Sequence, residues 1–128
     1  MKKRGGGSII ATASVAGVVG FANSAPYTAS KHAVCGLVKA AALELAAVGI
    51  RVNAIAPGAI DNRMMQSVIS QLSPENAGAV REGIKGSIPM KRYGRNEEIA
   101  NLAAFLASDE ASYSTGAIFM ADGGLTTG

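Results

Sequence analysis

A helix of about six turns that is apolar on most of its circumference cannot stand alone in water. The stretch from Tyr27 to Val48 reads as such a helix. It is rich in Ala and Leu, and Lys31, His32, Lys39 and Glu44 are among its few polar residues. It must be covered on more than one side, by a sheet on one and, we expect, by a partner subunit on the other. Its flanks supply the sheet. Ser8 to Ser14 is a short apolar run with β-branched members, and Arg51 to Ala56 is a second one that stops at Pro57-Gly58. Gly49 is placed to end the helix in a left-handed cap. Strand, long helix and strand make a βαβ unit, which calls for parallel strands.

The remainder extends this pattern. Val15 to Pro26 reads as a loop ending at a proline suited to a helix start. From Ala59 to Arg95 the chain is more polar and punctuated by Pro74, Gly78, Gly83, Gly86 and Pro89. Short helices are expected there over Met64 to Leu72 and Glu75 to Gly83, within a mobile excursion. Asn96 is expected to cap a helix through Ala107, with Glu97 and Glu98 favourable to its dipole. Ser112 to Gly116 reads as a turn, and Ala117 to Ala121 as a last strand before Asp122-Gly123-Gly124. The fold class is therefore α/β, one flank of a doubly wound parallel sheet. Ligands of such sheets bind at the carboxyl ends of the strands. Ser14, Pro57-Gly58 and Asp122 all fall there, as does the start of the Tyr27 helix.

Composition narrows the function. Of the 128 residues 48% are hydrophobic and 16% charged, which argues for a folded core rather than disorder. The net charge of +3 is mild, and the basic groups at Lys2-Lys3-Arg4 and Lys91-Arg92-Arg95 lack interleaved aromatics, so a nucleic-acid partner is not expected. Cys35 is alone and lies in an apolar helical stretch, which suits a small buried hydrophobe in a reducing, cytoplasmic setting. His32 has no ligand at metal-binding spacing, so no metal is expected. The basic start and the run Ile9 to Ala22 imitate a secretory signal, yet the run contains no Leu and is broken by Thr12, Ser14, Gly17 and Gly20. No run reaches the length of a membrane span.

Chemistry enters with Tyr27 and Lys31, which are four apart on a helix and so share a face. A free phenol titrates near pH 10. An ammonium held beside it favours the phenolate and turns a tyrosine into a usable general acid and base. A serine at the neighbouring strand end, Ser14, is placed to donate to a substrate oxygen. Taken singly, each has a plainer reading: a half-buried helix-start aromatic, a snorkelling cation, a strand-end hydroxyl bonded to backbone.

Together the three residues resemble the short-chain dehydrogenase/reductase family. Ser14 is followed by Val15-Ala16-Gly17, and thirteen residues after Ser14 comes Tyr27-Thr28-Ala29-Ser30-Lys31. Arg51-Val52-Asn53-Ala54-Ile55-Ala56-Pro57-Gly58-Ala59-Ile60 is similar to the family's next strand and loop. Lys91-Arg92-Tyr93-Gly94 with Glu97-Glu98-Ile99-Ala100 is similar to its late helix, and Gly116 to Gly124 to its closing strand and turn. These four blocks, in order, span nearly the whole chain, and they reassign the signal-like residues to a strand and its loop.

The resemblance implies an oxidoreductase that interconverts a secondary alcohol and a ketone with NAD or NADP, the two left undistinguished. It implies that Ser14 polarises the substrate carbonyl, that Tyr27 passes the proton, and that Lys31 assists Tyr27 and bonds the nicotinamide ribose. Pro57 and Gly58 would approach the nicotinamide, with the Ile60 backbone and Asn62, where relatives often carry Thr, reaching its carboxamide or phosphates. Residues 61–90 would cover the substrate, and helix 27–48 would join subunits of a homo-oligomer. An epimerase or dehydratase with the same Tyr and Lys stays open. No glycine-rich strand–turn–helix of the kind that receives a pyrophosphate occurs, and Gly5-Gly6-Gly7 precedes a strand rather than following one. We therefore expect residues 1–128 to form one partial domain, the carboxyl-terminal half of a Rossmann-like fold truncated before the cofactor loop. The alternative is a non-catalytic half-domain that serves as an assembly module.

Overall fold

A computed structural model describes residues 1–127. Three parallel strands, β1 (Gly7–Thr12), β2 (Ile50–Pro57) and β3 (Ile118–Ala121), lie side by side in that order. The βαβ expectation is met: α1 (Ala25–Leu45) joins β1 to β2, with Pro26 in its first turn. A 3-10 turn over Ala46–Val48 follows, and Gly49 closes it at φ 73, a conformation glycine adopts at little cost. The helix thus starts two residues before Tyr27, and its last turn tightens into the 3-10 form.

The side chains of β2 alternate between two cores, as strand pleating requires. Ile50, Val52, Ala54 and Ala56 face α1 and pack with Cys35, Val38 and Ala42. Ile55 faces the other way and packs with Leu106 of α4 (Asn96–Ala107) and with Ala111. Helices on both faces are what a strand buried on both sides needs. Full burial of a side chain such as Leu106 is worth about 1.5–3 kcal/mol.

Two polar residues share the α4 face of β2, and both are tied to backbone. Asn53 is fully buried; its Nδ2 donates to the Ser114 carbonyl (2.7 Å) and its Oδ1 accepts from Ala117 N–H (3.1 Å). Arg51 donates to the carbonyls of Leu106 and Ser108, both at 2.9 Å, at the end of α4 where carbonyls lack helical partners. Ser8 Oγ donates to the same Leu106 carbonyl at 2.8 Å.

The excursion after β2 is largely helical, with α2 (Arg63–Leu72) and α3 (Ala77–Ser87). The structure corrects two boundaries. Helix α3 starts later than expected and runs through Gly83 and Gly86, so these glycines do not break it. Asn96 is the first residue of α4 rather than its cap; Arg95 takes that place because Glu98 reaches back to accept its N–H at 2.8 Å. Among the described residues no helix is long and apolar enough to cross a membrane. On α1, Leu37 and Leu43 remain 69% and 84% exposed, so one apolar face of that helix is uncovered.

Candidate active site

The carboxyl end of β1 and the first turns of α1 meet through Lys31. Its Nζ donates to the Thr12 carbonyl, the last residue of β1, at 3.0 Å. The same ammonium lies 5.7 Å from the centre of the Tyr27 ring. That contact locks the helix start against the strand end and holds a cation beside the phenol. Tyr27 is 43% exposed, and its hydroxyl forms no hydrogen bond among the described residues.

Ser14 lies two residues beyond β1, 9% exposed, at the head of a 3-10 turn over Val15–Gly17. Its Oγ accepts from Ala16 N–H at 3.2 Å. An oxygen that accepts there keeps its own proton to donate elsewhere. The turn is pressed onto α1 at Gly17. A Cβ at that position would sit 2.7 Å from Cys35 Sγ and 2.9 Å from the Lys31 carbonyl. Gly17, which reads in the sequence as a loop former and as the end of the Ser14 block, is thus what lets the Ser14 turn and the Lys31 turn touch.

The four remaining candidates lie along the exit from β2. Pro57 ends the strand. Gly58 approaches the β3 end closely: a Cβ there would come 2.8 Å from Asp122 Cα, so its missing side chain already serves packing. Ile60 is buried and bridges to Gly94. Asn62 caps α2, its Oδ1 accepting from Met65 N–H at 2.9 Å. Its Oδ1 is therefore engaged inside the chain.

A cavity of about 380 Å³ opens beside this exit, lined in part by Ile60, Met90, Arg92, Glu98, Met120 and Asp122. It does not include Ser14, Tyr27 or Lys31. Glu98 is held down to about 2 by the Arg92 guanidinium bonded to it, assisted by the Arg95 N–H. For Asp122, burial pushes the carboxyl up, but bonds from the Thr126 hydroxyl and the N–H groups of Gly124 and Thr126 outweigh it and leave it below its usual value. A second hollow, about 760 Å³, lies at the amino ends of β1 and β2, away from the Tyr–Lys pair, and includes Arg4, Gly49, Arg51 and Tyr113.

Parallel strands covered by helices on both faces are the architecture of a doubly wound, Rossmann-like fold, and the Tyr27–Lys31 pair stands at a strand's carboxyl end, where such folds bind ligands. A family model described as enoyl-(acyl carrier protein) reductase matches residues 1–126. Levodione reductase of Leifsonia aquatica is 45% identical over 97% of this chain and 46% of its own length. Cyclohexanol dehydrogenase of Acinetobacter sp. (strain SE19) is 43% identical over 96% of this chain and 45% of its own. The crystal structure of levodione reductase superposes with a TM-score of 0.97 at 44% identity, over 99% of this chain and 49% of that one. L-sorbose reductase of Gluconobacter frateurii, solved with NADPH and L-sorbose, gives 0.92 at 32% identity, over 100% of this chain and 50% of that one. The chain belongs to the short-chain dehydrogenase/reductase family. It spans about half the length of the curated relatives it matches.

Proposed function

We propose that this chain supplies the proton-transfer part of an NAD(P)-dependent oxidoreductase site that interconverts a secondary alcohol and a ketone. The observation that carries the reading is the placement of Lys31, bonded to the end of β1 and 5.7 Å from the Tyr27 ring, one buried turn from Ser14. In this reading the Ser14 hydroxyl donates to the substrate oxygen and the Tyr27 hydroxyl gives or takes its proton. Lys31 has three donors and spends one on Thr12, which leaves two for the ribose hydroxyls of a nicotinamide cofactor. That donor set fits such a group, as does the backbone leaving β2 at Pro57, Gly58, Ile60 and Asn62, although the Asn62 oxygen is already engaged. When bound, the nicotinamide supplies or accepts the hydride. Solved relatives that hold NADPH support a cofactor of this class without choosing between NAD and NADP.

On the substrate side, Met64, Val68 and Leu72 recur along one exposed flank of α2, within the 61–90 segment proposed to cover the substrate. An apolar flank of this kind suits a hydrocarbon ring, and the similarity to cyclohexanol dehydrogenase favours the same. We therefore infer a ring-bearing secondary alcohol or ketone as substrate class. The exposed Leu37 and Leu43 on α1 support association with a second copy of the chain.

The test is reduction of NADP+ or NAD+ by cyclohexanol, read by the absorbance of the reduced nicotinamide. Tyr27→Phe should lower turnover at least about 100-fold, the usual scale for a general acid–base group, with unchanged circular dichroism. Undiminished turnover in Tyr27→Phe overturns the assignment. Titration of the chain against a fluorescent reduced nicotinamide separates it from a purely structural module, which would bind none.

A further inference from the structure

The excursion between β2 and α4 leaves the body at Asp61 and returns at Tyr93, and the two ends are stitched together. Asp61 N–H donates to the Gly94 carbonyl (2.8 Å), and Gly94 N–H to that of Ala59 (3.0 Å). The last part of the return is pinned as well: Met90 N–H donates to the Gly123 carbonyl at 3.1 Å, and Ile88 is buried where a Cβ on Gly123 would meet it at 2.7 Å. That leaves 62–87 as the part between the pins. Within it α2 and α3 pack mainly on each other and little on the sheet.

One residue of α3 grips both ends. Arg81 Nη2 donates to Asp61 Oδ2 at 2.7 Å. The Arg81 guanidinium lies 4.7 Å over the Tyr93 ring, and the Tyr93 hydroxyl donates to the Arg81 carbonyl at 2.9 Å. Tyr93 is buried and belongs to the body; Arg81 and Asp61 are partly exposed. Burial pushes the Tyr93 phenol up, with Arg81 pulling the other way, so Tyr93 stays a neutral donor near neutral pH. A partly solvated ion pair and a cation stacked on a ring are each weak alone. Together they suit a clasp that opens without unfolding the body.

We propose that Arg81 is the latch that holds the α2–α3 pair against the body as one hinged unit, opening about Asp61 and Ile88. The latch is a property of the fold; that its opening admits substrate rests on the oxidoreductase reading above. The two fail separately, because the latch is read by hydrogen exchange on the chain without turnover.

Amide hydrogen exchange, resolved by peptide, tests it. Arg81→Ala should raise exchange about tenfold across 63–87 as a block, the combined scale of an exposed ion pair and a cation–ring contact. Exchange in β2 and the unfolding midpoint should not move. Arg81→Lys keeps a cation for Asp61 but lacks the planar stack, so it should recover part of the protection. Tyr93→Phe removes only the hydroxyl bond and should loosen the same block by a smaller factor. A rise confined to the residues next to 81, an equal rise in β2, or no change in either Arg81→Ala or Tyr93→Phe overturns the proposal. If Arg81→Ala does not fold, Tyr93→Phe alone decides.

Discussion

Replacing Gly17 by Ala adds a single methyl group whose three nearest atoms are none of those proposed to react, and it should disturb the site all the same. The new Cβ would lie 2.7 Å from Cys35 Sγ and 2.9 Å from the Lys31 carbonyl, with the Lys31 carbonyl carbon at 3.2 Å. The sulfur is the end of a side chain and has some room to turn. The carbonyl is helix backbone and does not. The 3-10 turn must therefore lift off α1, carrying Ser14 away from Lys31. Overpacking of this kind costs about 2 kcal/mol, which lowers Tm by roughly 8 °C in a chain of this size. Thermal unfolding followed by circular dichroism measures it. Adding Cys35→Ala removes one of the two clashes and should restore part of the loss, leaving the part due to the backbone. A Gly17→Ala chain that melts within about 2 °C of the parent would refute the packing argument. Full recovery by Cys35→Ala would refute the assignment of the larger share to the Lys31 carbonyl.

Two other outcomes follow from buried and charged groups. Asn53→Ala strands the Ser114 carbonyl and the Ala117 N–H without partners in the interior, which should cost about 3 kcal/mol, visible as a lower midpoint in urea with little change in slope. Glu98 has a folded value near 2 against an ordinary 4.5. Its depressed value means that its contribution is complete above about 4.5 and is lost as pH falls from there towards 2. Glu98→Gln should flatten the acid limb of the stability profile in that window, and an unaltered limb would count against the role of Glu98 at the head of α4.

What was legible in the sequence was local or periodic. Tyr27 and Lys31 share a face because the helix repeat puts them there, and the β1–α1–β2 order follows from two apolar runs around one long helix. The contacts that assemble the site were of another kind. Gly17 meets Cys35 and Lys31 only after the chain has turned back on itself, and a single glycine carries no sign of that partner. Arg51 and Asn53 did carry a signal, since polar residues in a strand buried on both faces need distant acceptors. Which acceptors they find, the end of α4 and the Ser114–Ala117 turn, depends on tertiary placement. Asn62 has the residue type of a helix cap, and it caps α2. Gly83 and Gly86 have poor helix propensity, about 1 kcal/mol each, and α3 passes through both.

The Leu106 carbonyl receives donors from Ser8 and Arg51, which stand directly opposite one another in β1 and β2. A slip of one residue between these strands would turn one of the two side chains to the other face of the sheet. The mispaired sheet would then lose a donor at the end of α4. A single oxygen at the end of a helix thus ties together the alignment of two strands, favouring the native register over its one-residue neighbours by a bond that those neighbours cannot make.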